Sequence, residues 1–179
     1  MPISYVDEVV VRYLMKKGYL VSQGIWFQIS KAKTGKKVSG WSDIDIFAVK
    51  PNEALLIQCK SFIGTKKSPE TVNDISTWFD NALSFLKEDP RYKDWIKNGP
   101  KKILVADYSV KITEKELKKY NIEVWRYEKI LKDLLKELKN DAETREKGRT
   151  GKEEDTLLRI LSDMIRRKMI TKEVFKEEE

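Results

Sequence analysis

The chain has 179 residues, with 36 Lys+Arg against 29 Asp+Glu, no histidine and one cysteine, a length that suits one well-packed domain with a modest appendage. The absence of histidine excludes every mechanism built on a histidine base, nucleophile or metal ligand, so any catalysis rests on carboxylates, amides, lysines and a metal. Cys59 alone excludes an internal disulfide, no run nears the roughly 18 apolar residues of a membrane span, and the opening MPISYVDEVV carries acids where a secretion signal carries bases, so a soluble, cytoplasmic protein is expected.

The excess positive charge is not spread evenly. Residues 1–127 hold 22 Lys+Arg against 15 Asp+Glu, whereas residues 128–179 hold 14 of each. A basic globular part favours a polyanionic partner such as DNA, although lysine-rich surfaces also serve simply as solvated faces. The 36% of charged residues resembles the composition of a hyperthermophile protein.

The first segment, Tyr5 to Lys17 ahead of Gly18, places Val6, Val9, Val10, Val11, Leu14 and Met15 around most of a helix circumference, so this helix is expected to be covered on two sides. Glu8 shares the flank of Val11 and Met15; it either pairs with Arg12 at the i, i+4 spacing or serves a site. YLVSQGIWFQIS reads as a strand with Gly24 as a bulge, and KAKTGKKVSG as a basic hairpin loop. WSDIDIFAV alternates, with Asp43, Asp45, Phe47 and Val49 on one face and Ile44, Ile46 and Ala48 on the other. KPNE turns the chain into ALLIQCKS, where Leu55, Ile57 and Cys59 face one way and Leu56, Gln58 and Lys60 the other.

Ser68 then looks like the N-cap of a helix with Pro69 in its first turn, running to about Leu86. KILVADY is a buried strand, Thr113 with Glu116 forms a capping box for a short helix, IEVWRY is another strand and EKILKDLLKEL an amphipathic helix. This order, α-β-β-β-α-β-α-β-α, predicts a mixed α/β domain over residues 1–139. Residues 140–155 are expected to be a charged linker. A last helix, TLLRILSDMIRRKM, is too apolar to remain wet, and either docks on the core or pairs with a second copy as a homodimer.

The chemistry concentrates on the two central strands. Asp45, Gln58 and Lys60 fall at adjacent strand ends, with Asp43 about 7 Å further along. Strand-end polar groups can simply reach solvent, with Lys60 neutralising Asp45. Yet the acids lie within the strand pattern and Lys60 follows a run that reads as sheet interior, where unpaired charge is costly. A shared ion resolves that cost. Mg²⁺ takes hard oxygen ligands and needs only one or two carboxylates beside its waters. The carboxylate of Asp45, the amide oxygen of Gln58 and the carbonyl of Cys59 supply such a set, with Lys60 beside a phosphate oxygen.

The segment DIDIFAVKPNEALLIQCKS resembles the core of the PD-(D/E)XK nuclease superfamily, in which an Asp on one strand precedes (Glu or Asp)-X-Lys on the next, and YVDEVVVRYLMKKGY resembles its accessory first helix. The likeness extends over residues 5 to about 108 and is similar in detail to the archaeal Holliday-junction-resolvase and YraN-like groups, and in its Gln-X-Lys variant to Mrr-type enzymes. It implies a restriction-endonuclease-like αβββαβ core with a mixed sheet flanked by helices, plus a C-terminal helical extension. It also implies a Mg²⁺-dependent endodeoxyribonuclease, with Mn²⁺ as substitute, acting in DNA repair, recombination or defence and leaving 5′-phosphate and 3′-hydroxyl ends. Asp45 would be the principal metal ligand, Gln58 the second, the Cys59 carbonyl a third, Lys60 the water-activating residue and Glu8 an outer ligand. Asp43 is the alternate first acid.

Gln58 in place of the usual glutamate removes a negative charge from the site, so a silenced DNA-binding module is the rival outside enzymology and a junction resolvase the rival within the fold. Lys31, Lys33, Lys36 and Lys37 before the acidic strand, with Lys66 and Lys67 after Lys60, would meet DNA phosphates. An RNA substrate is a third alternative. Trp78, Phe79 and Trp125 read as core residues.

Overall fold

Ser4 starts the first helix by a reciprocal cap: its hydroxyl accepts from the Asp7 N–H at 3.2 Å, and its own N–H donates to Asp7 Oδ2 at 3.1 Å. The computed structural model describes residues 4–29, 40–62, 69–108, 111–146, 155–167 and 169–170. Lys31, Lys33, Lys36, Lys37, Lys66, Lys67 and the expected Ser68 cap lie outside them. Helix α1 (Tyr5–Lys16) repeats apolar residues at Val6, Val10 and Leu14, all fully buried. It ends at Gly18, whose φ of +80° lets the N–H groups of Gly18 and Tyr19 reach back to the carbonyls of Met15 and Leu14, both at 3.0 Å.

Strands β1 (Leu20–Ile29), β2 (Gly40–Lys50) and β3 (Glu53–Phe62) follow as an antiparallel meander. The β2–β3 turn needs only Pro51 and Asn52, the latter at φ +65°, and is clamped by Lys50 against Glu53 at 2.9 Å. Helix α2 (Pro69–Glu88) returns the chain so that β4 (Lys101–Tyr108) lies parallel to β3. Helix α3 (Lys111–Lys118) does the same for β5 (Ile122–Arg126). The result is a five-stranded mixed sheet in the order β1-β2-β3-β4-β5, flanked by helices. The expected capping box at Thr113 is not the helix start, since α3 already begins at Lys111.

One sheet face and α2 share a core of Phe47, Val49, Leu56, Ile75, Phe79, Ala82, Leu86, Leu104 and Ala106. Phe27 stacks on Phe85 at 5.6 Å, and Phe47 meets Tyr92 edge-on at 5.6 Å. Truncating a fully buried ring such as Phe79 would cost about 3 to 5 kcal/mol. Ile46, Ala48, Leu55 and Ile57 are buried outside that cluster, on the face of the sheet that α1 lies against.

The chain divides into two compact units, residues 1–127 and 128–179, whereas the sequence suggested 139/140. Helix α4 (Tyr127–Glu146) continues beyond the expected linker boundary, because no glycine or proline interrupts it before Gly148. In the second unit Asp155 caps α5 (Thr156–Arg166) by accepting from Leu158 N–H at 3.1 Å. No helix among the described residues is long and apolar enough to cross a membrane.

Candidate metal centre at the β2–β3 fork

The antiparallel ladder between β2 and β3 runs from Lys50↔Glu53 to Ile46↔Ile57 and stops there. One step further, the Cys59 N–H donates not to a β2 carbonyl but to Asp45 Oδ2, at 2.7 Å. A side chain has replaced the backbone as acceptor, and the two strands fork around it.

The cause lies on the other side of β2. Gly24, at φ +61°, falls opposite Asp45 and drops out of the β1–β2 ladder, although Gln23↔Ile46 and Ile25↔Ile44 keep the register on either side. Glycine takes that backbone conformation without the strain a β-carbon brings to most residues. The local distortion also breaks the strict alternation expected for β2: Ile44 joins Phe47 and Val49 in the α2 core, while Ile46 lies outside it. Asp45 therefore does not share the face of Phe47. It sits at the slip, where the Cys59 N–H and the charges of Asp7, Asp43 and Lys60 reach it.

The electrostatics of this carboxyl are unbalanced. Burial raises its pKa most, the Cys59 N–H lowers it, the negative charges of Asp7 and Asp43 raise it and the Lys60 ammonium lowers it, with the net at about 7. Gln58, one residue before Cys59, lies on the face of Leu56, paired in parallel with Leu104 of the core. It is only 7% exposed, and its Oε1 has no hydrogen-bond partner among the described residues. A buried amide oxygen without a donor costs about 1 to 3 kcal/mol. A cation would answer both the surplus negative charge and the orphaned oxygen.

The α1 acid at this place is Asp7, not Glu8. The Cys59 thiol donates to the Asp7 carboxylate, and burial with the charges of Asp7 and Asp45 raises its pKa, leaving a neutral thiol. Glu8 pairs with Arg12 instead. The helix repeat explains the choice: Asp7 precedes Val10 and Leu14 by three and seven residues, on the stripe with the deepest burial. The Ser4–Asp7 capping box was the available signal, but it points to a helix start as readily as to a site. Among the described residues no three His, Cys, Asp or Glu side chains converge to form a cage of their own. The donor set is thus one carboxylate, one neutral amide oxygen and main-chain carbonyls, which fits a hard cation that keeps most of its waters.

Trp78 packs against the core and edge-on to Phe79 at 4.9 Å, and Trp125 donates its indole N–H to Glu123 at 2.9 Å. The exposed tryptophans on the first two strands, Trp26 and Trp41, had no place in the sequence reading.

No protein-family model and no curated protein matches the chain. A crystal structure of a protein of unknown function, AF1548, is similar to it at a TM-score of 0.47 and 13% identity, covering 90% of this chain and 98% of that one.

Proposed function

We propose that the β2–β3 fork is a divalent-cation site and that the protein is a Mg²⁺-dependent endodeoxyribonuclease of the restriction-endonuclease-like fold. The observation that carries this reading is the Gln58 amide oxygen, buried without a hydrogen-bond partner among the described residues, one residue before the Cys59 whose N–H Asp45 accepts. The element order α1-β1-β2-β3-α2-β4 supports it, since it agrees with the αβββαβ core that the sequence resemblance implies.

Asp45, Gln58 and the Cys59 carbonyl would hold the cation. Bound there, the cation would supply Lewis-acid polarisation of a phosphodiester and a more acidic water. Lys60, whose charge is felt by Asp45, orients the water and a phosphate oxygen. Asp7 holds the Cys59 side of the fork through the thiol and adds negative charge that strengthens cation binding. Gly24 keeps β2 distorted so that the Asp45 carboxyl enters the fork at all. Hydrolysis would leave a 5′-phosphate and a 3′-hydroxyl.

The neutral Gln58 supports one competing reading, a DNA-binding module that has lost its chemistry. Both are separated by incubating end-labelled duplex DNA, a four-way junction and RNA of matched sequence with wild-type protein and Lys60→Ala, in Mg²⁺ or EDTA. Metal-dependent cutting of DNA that Lys60→Ala abolishes supports the nuclease, and preferential cutting of the junction makes it a resolvase. Binding without cutting in every condition rejects the nuclease.

A further inference from the structure

Trp26 on β1 and Trp41 on β2 are 55% and 66% exposed. In the antiparallel register Trp26 stands opposite Asp43, and Gln28 opposite Trp41. These two pairs are consecutive on one face of the ribbon, so the tryptophans are diagonal cross-strand neighbours. The face is that of Asp43, opposite to the one on which Ile25, Phe27 and Ile44 enter the core. Two indoles held in water on a strand surface forgo a large apolar gain, and neighbouring exposed aromatics of this kind mark an interaction surface.

From the register and the exposure, we infer that Trp26 and Trp41 form a stacking platform for the unpaired bases of single-stranded or locally opened DNA, beside the fork that would cut it. Diagonal neighbours lie about 7 to 8 Å apart, near twice the roughly 3.4 Å rise between stacked bases. A base can therefore enter between the indoles or lie across both. Stacking needs only a π-face and tolerates every base, so it recognises an unpaired strand without reading its sequence.

Charge complementarity favours a nucleic acid over an apolar protein segment as the occupant. The unit carrying both tryptophans has 22 Lys+Arg against 15 Asp+Glu, and the segment that joins the two strands, SKAKTGKKVS, contains four lysines and no acid. The platform is also close to the candidate chemistry. Asp43, the partner of Trp26, lies two residues from Asp45 on β2. The inference deepens the nuclease reading by naming its substrate class, and it rests on that reading only for the cutting step.

Fluorescence anisotropy tests it in EDTA, where nothing is cut. The probes are a labelled single-stranded oligonucleotide, the blunt duplex of the same sequence and an abasic strand with the same number of phosphates. The proteins are wild type, Trp26→Ala/Trp41→Ala and Trp26→Phe/Trp41→Phe. Both indoles are exposed, and circular dichroism verifies the fold of each variant.

The single strand should bind wild type more tightly than the duplex or the abasic strand, and the double alanine variant should lose roughly tenfold or more of that affinity. The phenylalanine variant should retain most of it. Equal binding of the intact strand by wild type and the double alanine variant overturns the platform, as does equal binding of intact and abasic strands by wild type. A parallel plasmid-cutting assay in Mg²⁺ keeps the two readings apart. Cutting that persists while the tryptophans prove irrelevant to binding rejects only the platform; tryptophan-dependent binding by a protein that never cuts rejects only the nuclease.

Discussion

Replacing Gln58 by methionine should stabilise the protein in EDTA and destabilise it relative to wild type in Mg²⁺. The side chains are close in size, and the substitution removes a buried oxygen that has no donor among the described residues. Relief of that desolvation is worth about 1 to 3 kcal/mol, or roughly 3 to 9 °C in Tm for a chain of this length. With the cation present the balance reverses. Ligand at about 1,000 times its Kd stabilises the native state by about 4.1 kcal/mol, or about 12 °C, and Gln58→Met should forfeit most of that gain, more than it wins by losing the orphaned oxygen. Thermal unfolding followed by circular dichroism, with the two proteins in EDTA and in saturating Mg²⁺, gives four midpoints. Crossing of the two proteins supports a cation ligand at residue 58. A methionine variant less stable in EDTA, or one that gains as much from Mg²⁺ as wild type, refutes the argument.

The remaining predictions use the same geometry. The Asp45 pKa, raised from 3.8 to about 7, means that the folded state holds this proton more tightly than the unfolded state. Stability of the cation-free protein should therefore fall as pH rises from about 4 through 7, by at most roughly 4 kcal/mol; Asp45→Asn should flatten that slope in urea titrations, and Mg²⁺ should flatten it in wild type. Glu53 has the opposite sign: Lys101, Tyr19 and Lys50 hold its pKa down at about 2, the first two by hydrogen bonds of 2.6 Å. Its contribution is present above about 4.5 and lost as pH falls through 2, and screening around the exposed lysines limits it to about 1 kcal/mol, so Glu53→Gln should be less stable at pH 7 and near wild type at pH 2. Asp7→Asn should slow DNA cutting by more than about tenfold, whereas Glu8→Gln, which removes only the Arg12 pair, should stay within about threefold; equal effects of the two would return the role to Glu8.

The succession of elements was legible because each has a strong local cause. Gly18 ends α1, Pro51–Asn52 closes the hairpin, Pro69 lies in the first turn of α2, and the β3 and β4 runs are apolar on both faces. Of the candidate site, the sequence named residues that the fold sets near Asp45, since Cys59 donates its N–H to that carboxyl and the Asp43 and Lys60 charges reach it; Gln58 stands one residue before Cys59 with its amide oxygen buried.

What escaped the sequence was set by neighbours. The slip at Asp45 depends on a left-handed glycine across the ladder, so counting alternate residues along β2 alone could not place the carboxyl. Asp7 and Glu8 are adjacent acids about 100° apart on one helix, and only the docking of α1 on the sheet decides which faces the fork. The end of α4 escaped because a polar helix and a polar linker have the same composition, and seven residues past 139 proved helical.

The most direct measurement is nicking of supercoiled plasmid by purified wild type, Asp45→Asn and Lys60→Ala in Mg²⁺ and in EDTA. Nicking by wild type in Mg²⁺ alone, lost in both variants while their folds and DNA binding persist, is the predicted result. Nicking that survives EDTA or either substitution, or no nicking by a wild type that binds DNA, would contradict a cation-dependent nuclease site at the β2–β3 fork.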